Sequence, residues 1–272
     1  MLDTPTPNTA PSTGLRIADP IRQRYKLTIA YDGSAFHGWQ KQIPPDGQPL
    51  RTVQGVVEQT LRELLRQPLN LLGASRTDAG VHAEGQVAQF DAASPIPLDR
   101  LAHALNGRLP DDIEIRDVQL PSPTFEAIGG AVSKQYLYRL YNVDRRPLGI
   151  RHLVYHCWLK LDLDRMNDAA QRLVGEHDFA GFAAAGHNRV STIREIHRCC
   201  VQAHAPEVHV IVEGSGFLYN MVRIIVGTLI EIGRGHWEPD RIDTILRHAD
   251  RALAGPTAPP QGLCLQWVKY HE

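Results

Sequence analysis

Tyr25-Lys26-Leu27-Thr28-Ile29-Ala30-Tyr31 sets Tyr25, Leu27, Ile29 and Tyr31 against Lys26, Thr28 and Ala30, and Asp32-Gly33 follows with turn chemistry. This is the two-residue period of a strand with one face buried. Downstream, Val53, Val56, Val57, Leu61, Leu64 and Leu65 recur at helical spacing, and Thr52 is placed to cap that helix. A strand through Asn70 to Gly73 leads into an irregular octet, Arg76-Thr77-Asp78-Ala79-Gly80-Val81-His82-Ala83. Alternation returns from Gly85 to Asp91. Asp99 is placed to cap a short helix that stops at Gly107, and Ile113, Ile115 and Val118 mark another strand.

The second half repeats the pattern less regularly. Lys134 to Tyr141 is a strand with Tyr136, Tyr138 and Leu140 on one face. Asp164 is placed to cap a helix carrying Met166, Ala169, Ala170, Leu173 and Val174 inward. Strands follow at Ile193 to Val201 and Glu207 to Glu213. Phe217, Met221, Ile224, Ile225, Thr228, Leu229 and Ile232 then form the strongest helical stripe in the chain. Pro239 suits the first turn of a further helix, and Leu263, Leu265 and Trp267 give a last strand. The order predicts an α+β fold of two ferredoxin-like or RRM-like halves with mixed antiparallel sheets. Each half leaves a sheet face open. Two such faces turned towards each other form a central cleft with the octet at its wall. Residues 1–21, rich in Thr, Pro and Ala, read as a disordered tail. Residues 22–122 and 123–272 read as the two domains, meeting near Pro121-Ser122-Pro123.

With 272 residues, 43% of them hydrophobic, the chain can build a sizeable core. Its richest apolar run, Met221 to Ile232, is broken by Arg223 and Glu231, which argues against a membrane span. Cys157, Cys199, Cys200 and Cys264 show no C-x-x-C spacing, so a reduced, cytoplasmic protein without a metal site is expected. A net charge of −1 argues against a nonspecific polyanion coat but not against a local basic cleft, since the distribution of charge decides. Arginines recur at Arg51, Arg62 and Arg66, at Arg139, Arg145, Arg146 and Arg151, and at Arg189 and Arg194.

Within the octet, one carboxylate stands two residues after an arginine and two before a glycine. A neighbouring cation favours the ionised acid, and glycine admits a positive φ or a close approach. That describes an aspartate held for use, although a surface Arg-Asp pair in a turn has the same spelling.

Further motifs follow in order. Tyr31-Asp32-Gly33, Phe36-His37-Gly38-Trp39-Gln40 and Thr52-Val53-Gln54-Gly55 precede the octet, which continues to Gly85-Gln86-Val87. After it come Asn106, Leu109-Pro110-Asp111-Asp112-Ile113 and Lys134-Gln135-Tyr136-Leu137-Tyr138-Arg139. The carboxyl half adds His177-Asp178-Phe179, Gly216-Phe217-Leu218, Met221-Val222-Arg223, Gly227-Thr228-Leu229 and Gly262-Leu263-Cys264-Leu265. In this series the chain resembles the tRNA pseudouridine synthase A family over nearly its full length after the tail. Two departures stand out. Ser75 replaces the glycine usual before Arg-Thr-Asp, and Gly181-Phe182-Ala183 with Ala184-Ala185-Gly186 replaces a Ser-Phe pair and a polar or basic residue.

The resemblance implies the pseudouridine synthase fold, a tRNA substrate modified at uridines 38, 39 and 40 of the anticodon stem-loop, and a homodimer with one tRNA crossing both subunits. The reaction detaches uracil at N1 and rejoins it through C5 without redox change, so no cofactor is implied. By resemblance Asp78 is the reacting acid. It attacks the sugar at C1′ or the base at C6, or removes a sugar proton, and the sequence leaves these open. Arg223 is implied as the cation holding Asp78, its alternative being an exposed helical arginine. Its replacement by Ala is expected to lower turnover strongly without disturbing the fold. Arg76 is implied to enter the space of the extruded base, with a local ion pair to Asp78 as the plainer role. Tyr136 would stack on the uracil and Leu263 close the pocket, although either can be plain core. His82 is assigned to the loop rather than to catalysis. The alternative is a non-catalytic RNA-binding protein with two sheet modules, which leaves the octet without a purpose.

Overall fold

The computed structural model describes residues 21–45, 47–184 and 191–271. Nearly all of the expected tail, and Ala185, Gly186 and Arg189, lie outside them. The elements in chain order are β1 (Gln23–Tyr31), α1 (Val53–Leu65), β2 (Leu72–Gly73), β3 (His82–Ala92), α2 (Leu98–Asn106), β4 (Ile113–Gln119), β5 (Ala131–Tyr141), β6 (Tyr155–His156), α3 (Leu163–Gln171), β7 (Gly175–Asp178), β8 (Ile193–His204), β9 (Glu207–Gly214), α4 (Met221–Gly233), α5 (Arg241–His248) and β10 (Leu263–Tyr270). Among the described residues no helix is long and apolar enough to cross a membrane.

The strands form one ten-stranded sheet in the order β4-β1-β3-β10-β5-β9-β8-β7, with β2 beside β3 and β6 beside β5. The two halves therefore meet edge to edge, not as two sheets facing each other. The join is β10, which runs antiparallel to β5 and parallel to β3. Its pairing with β3 is confined to Cys264 with His82 and Leu265 with Ala83. The seam is thus anchored on the last two residues of the octet, and the catalytic-looking loop leaves the sheet where the halves join.

The expected helices are present, α1 starting where expected and the others with shifted starts. Thr52 caps α1, its Oγ1 accepting from Gly55 N at 3.3 Å. At α2 the cap position is Pro97, and Asp99 lies in the first turn. At α3 the cap is Asp162, whose carboxylate accepts from Arg165 N at 3.1 Å, leaving Asp164 in the first turn. Pro239 precedes α5, which begins after Asp240. Phe217 belongs to the segment before α4. The helix itself is buried nearly all round, including Met221, Val222, Ile224, Ile225, Leu229 and Ile232, as a core helix should be. One apolar cluster runs from Leu27 and Ile29 in β1 through Tyr138 in β5 to Ile225 and Leu229.

Candidate active site

The octet and the two residues before it, Ala74 and Ser75, are held by backbone contacts from several directions. Ala74 N–H donates to Val87 O at 2.7 Å, Trp39 N–H to Thr77 O at 3.1 Å, and Gly80 N–H to Phe36 O at 3.3 Å. Side chains complete the hold. The buried Gln86 amide accepts from Ser75 N at 3.2 Å and donates to Ser75 O at 2.6 Å. The Tyr31 and Thr77 hydroxyls lie 2.8 Å apart, hydrogen-bonded, and Lys134 Nζ donates to Ala74 O at 2.8 Å. Gly38 explains the flanking motif Phe36-His37-Gly38-Trp39-Gln40. It has φ +85°, and a Cβ there would stand 2.6 Å from Thr77 O, so the turn can lie against the loop only with glycine.

Asp78 projects from this loop into a cleft of about 1300 Å³ lined by both halves. Arg223, in the first turn of α4, places Nη1 3.2 Å from Asp78 Oδ2. Neither side chain is freely exposed, at 21% for Asp78 and 15% for Arg223. The exposed-arginine alternative is therefore not what this position is. Arg223 is itself fixed: its Nε donates to Ala258 O at 2.7 Å and Nη1 to Asn220 Oδ1 at 2.7 Å. Removing it takes away loop contacts as well as the ion pair, which the expectation of an undisturbed fold did not include. Burial is the larger influence on Asp78 and raises its carboxyl above the usual aspartate range, while the Arg223 guanidinium offsets part of that rise.

Arg76 is exposed at the cleft and makes no ion pair or hydrogen bond among the described residues, so the local pair with Asp78 is not formed. Tyr136 and Leu263 are buried and line the cleft. The Tyr136 ring meets Phe217 edge-on at 5.2 Å, and burial pushes its phenol up to about 12. Beyond the expected residues, Lys134 and Arg194 also line the cleft. With Arg76 and Arg223 they give four cations around Asp78, the one acid among the described lining residues. A chain of net charge −1 thus carries a basic cleft, a fact of folding that composition conceals. His82 lies behind the loop, accepting from Gly33 N at 3.1 Å through Nδ1, and burial lowers its pKa. Phe182 packs in the core 6.0 Å from Phe179, so the altered segment after β7 begins as core.

Such a site can present an anionic carboxylate inside a cationic, partly enclosed groove. The family model described as tRNA pseudouridine synthase matches residues 27–125 and 169–271. A tRNA pseudouridine synthase A of Acetivibrio thermocellus is 44% identical over 245 residues, 90% of this chain and 98% of the relative. One of Geotalea uraniireducens is 44% identical over 248 residues, covering 91% of this chain and 100% of the relative. Among solved structures, a chain from a Cbf5-Nop10-Gar1 complex aligns at a TM-score of 0.33 with 9% identity, covering 88% of this chain and 57% of that one, too distant to bear on the site. The chain belongs to the tRNA pseudouridine synthase family, isomerases that act on uridines of tRNA.

Proposed function

We propose that this enzyme converts uridine to pseudouridine at positions 38, 39 and 40 of the tRNA anticodon stem-loop, with Asp78 as the reacting carboxylate. The observation that carries the reading is the Asp78–Arg223 pair at 3.2 Å inside a cleft that Arg76, Lys134 and Arg194 also line. In the reaction the C1′–N1 bond breaks and a C1′–C5 bond forms. C5 gives up its proton, N1 takes one, and no electrons are exchanged with another molecule. A carboxylate, acting as nucleophile or base, suits a sequence in which a bond or proton is taken and then returned. Arg223 keeps that carboxylate ionised against its burial.

The remaining residues serve access to the base. A stacked uridine has to leave its stack at a cost of about a few kcal/mol, and the unpaired Arg76 guanidinium occupies the space it vacates. The extruded uracil lies between Tyr136 and Leu263. Because Tyr136 is buried against Phe217, the Phe217 side chain shifts as the base arrives. Lys134 and Arg194 add cationic surface for the phosphate backbone. Two such clefts in a homodimer converge on one tRNA, in the cytoplasm. A non-catalytic RNA binder has no use for a part-buried acid with a dedicated guanidinium.

The test is to incubate the protein with unmodified tRNA carrying uridine at all three positions and to map pseudouridine nucleotide by nucleotide. Product at 38, 39 and 40 alone is expected. Product in another arm overturns the site assignment, and none at all overturns the enzymatic reading. Light scattering gives the oligomeric state, with twice the chain mass expected.

A further inference from the structure

The side chain of Ser75 has no part in the chemistry described so far. It is buried, and its Oγ lies 2.9 Å from the Tyr136 hydroxyl, 61 positions along the chain. Holding the loop does not require it, because the Gln86 amide grips residue 75 through backbone N–H and C=O alone, and a glycine would be gripped as well. The hydroxyl therefore has a separate task. For the Tyr136 phenol, Ser75 Oγ is the one hydrogen-bond partner among the described residues. A buried phenol that loses its partner leaves a polar group unsatisfied, and its ring is then set by packing alone, including the edge-on contact with Phe217.

We propose that Ser75 is a positioning residue whose hydroxyl holds the Tyr136 ring in register with Asp78, which stands on the same gripped loop. The proposal rests on the reading of Tyr136 as the surface against which the extruded uracil lies. β5 then meets the loop at two points, Lys134 on the Ala74 carbonyl at 2.8 Å and Tyr136 on the Ser75 hydroxyl at 2.9 Å. The base platform and the reacting carboxylate move as one body. Affinity for tRNA comes largely from phosphate and shape contacts along the groove. Alignment of the base is used in the chemical step. Loss of the Ser75 hydroxyl therefore appears in kcat and not in KM.

Steady-state pseudouridine formation on unmodified tRNA tests this with Ser75→Ala, Ser75→Gly, Tyr136→Phe, Tyr136→Leu and the Ser75→Ala/Tyr136→Phe double variant. Ser75→Ala, Ser75→Gly and Tyr136→Phe are each expected to lower kcat roughly tenfold with KM unchanged. The double variant should be no slower than the slower single, because both remove the same bond. Wild-type kcat in Ser75→Ala and Ser75→Gly, or losses that multiply in the double variant, overturns the proposal. Tyr136→Leu separates the two levels. Full activity there overturns the role of Tyr136 and the proposal with it, whereas an inactive Tyr136→Leu beside a fully active Ser75→Ala overturns the role of Ser75 alone.

Discussion

Asp78 is a carboxyl pulled in two directions, raised by burial and lowered by Arg223, and both have measurable consequences. If the ionised form reacts, kcat falls on the acid side with a midpoint above that of an ordinary aspartate, about 3.9. Arg223→Gln removes the cation that offsets burial, so the acid limb moves to higher pH and turnover at neutral pH falls at least roughly tenfold. An unmoved limb in that variant contradicts the pairing. Stability carries the opposite sign. A raised carboxyl pKa means that the folded state favours the protonated form, so the stabilisation is complete below the ordinary aspartate value and is lost as pH rises through the raised one. Asp78→Asn is accordingly expected to melt above the wild type at pH 7 and level with it in acid. Equal melting temperatures at both pH values contradict the strained, buried carboxylate. At this scale the sequence disclosed Asp78 through its octet and Arg223 only through resemblance. The Ser75–Tyr136 bond was not legible, because it joins residues 61 positions apart and neither has a local pattern that names the other.

The elements most readable in the sequence are those whose side chains face a single core. The alternation in β1, β5 and β9 and the stripes of α1 and α4 follow directly from one-sided or complete burial. Shorter pieces carry too few periods to be seen. β2 and β6 have two residues each and β7 four. The displaced caps at α2 and α3 arose because Asp99 and Asp164 sit in first turns, where an acid is also favoured. Two glycines join the elements around the site. Gly38→Ala places a methyl against Thr77 O at a positive φ, and the backbone strain alone costs about 1–3 kcal/mol. Denaturant unfolding should show that loss, and kcat should fall with it because Thr77 adjoins Asp78. A Gly38→Ala enzyme of wild-type stability and rate would contradict the packing of that turn on the loop. At Gly227, a Cβ would stand 1.8 Å from Pro256 O, so α4 tolerates the loop that carries Ala258 only with glycine at that point.

Across the whole molecule, an α+β architecture was legible, but the way its strands join into one sheet was not. β10 comes from the end of the chain and inserts between β3 and β5, a pairing of distant segments that local periodicity cannot specify. With one sheet and one apolar cluster spanning both halves, unfolding is expected as a single transition in calorimetry. Two resolved transitions would contradict the coupling through β10. The basic cleft was hidden for a similar reason: Arg76, Lys134, Arg194 and Arg223 are scattered along the chain and converge only in the fold. Binding through such a cleft weakens steeply with salt. The central claim, that Asp78 performs the chemistry while the rest of the cleft holds the RNA, is tested most directly by comparing Asp78→Asn with the wild type. The two are assayed on the same unmodified tRNA for binding and for pseudouridine. The account predicts tRNA affinity equal to wild type and no pseudouridine at any nucleotide. Pseudouridine formed by Asp78→Asn would contradict it.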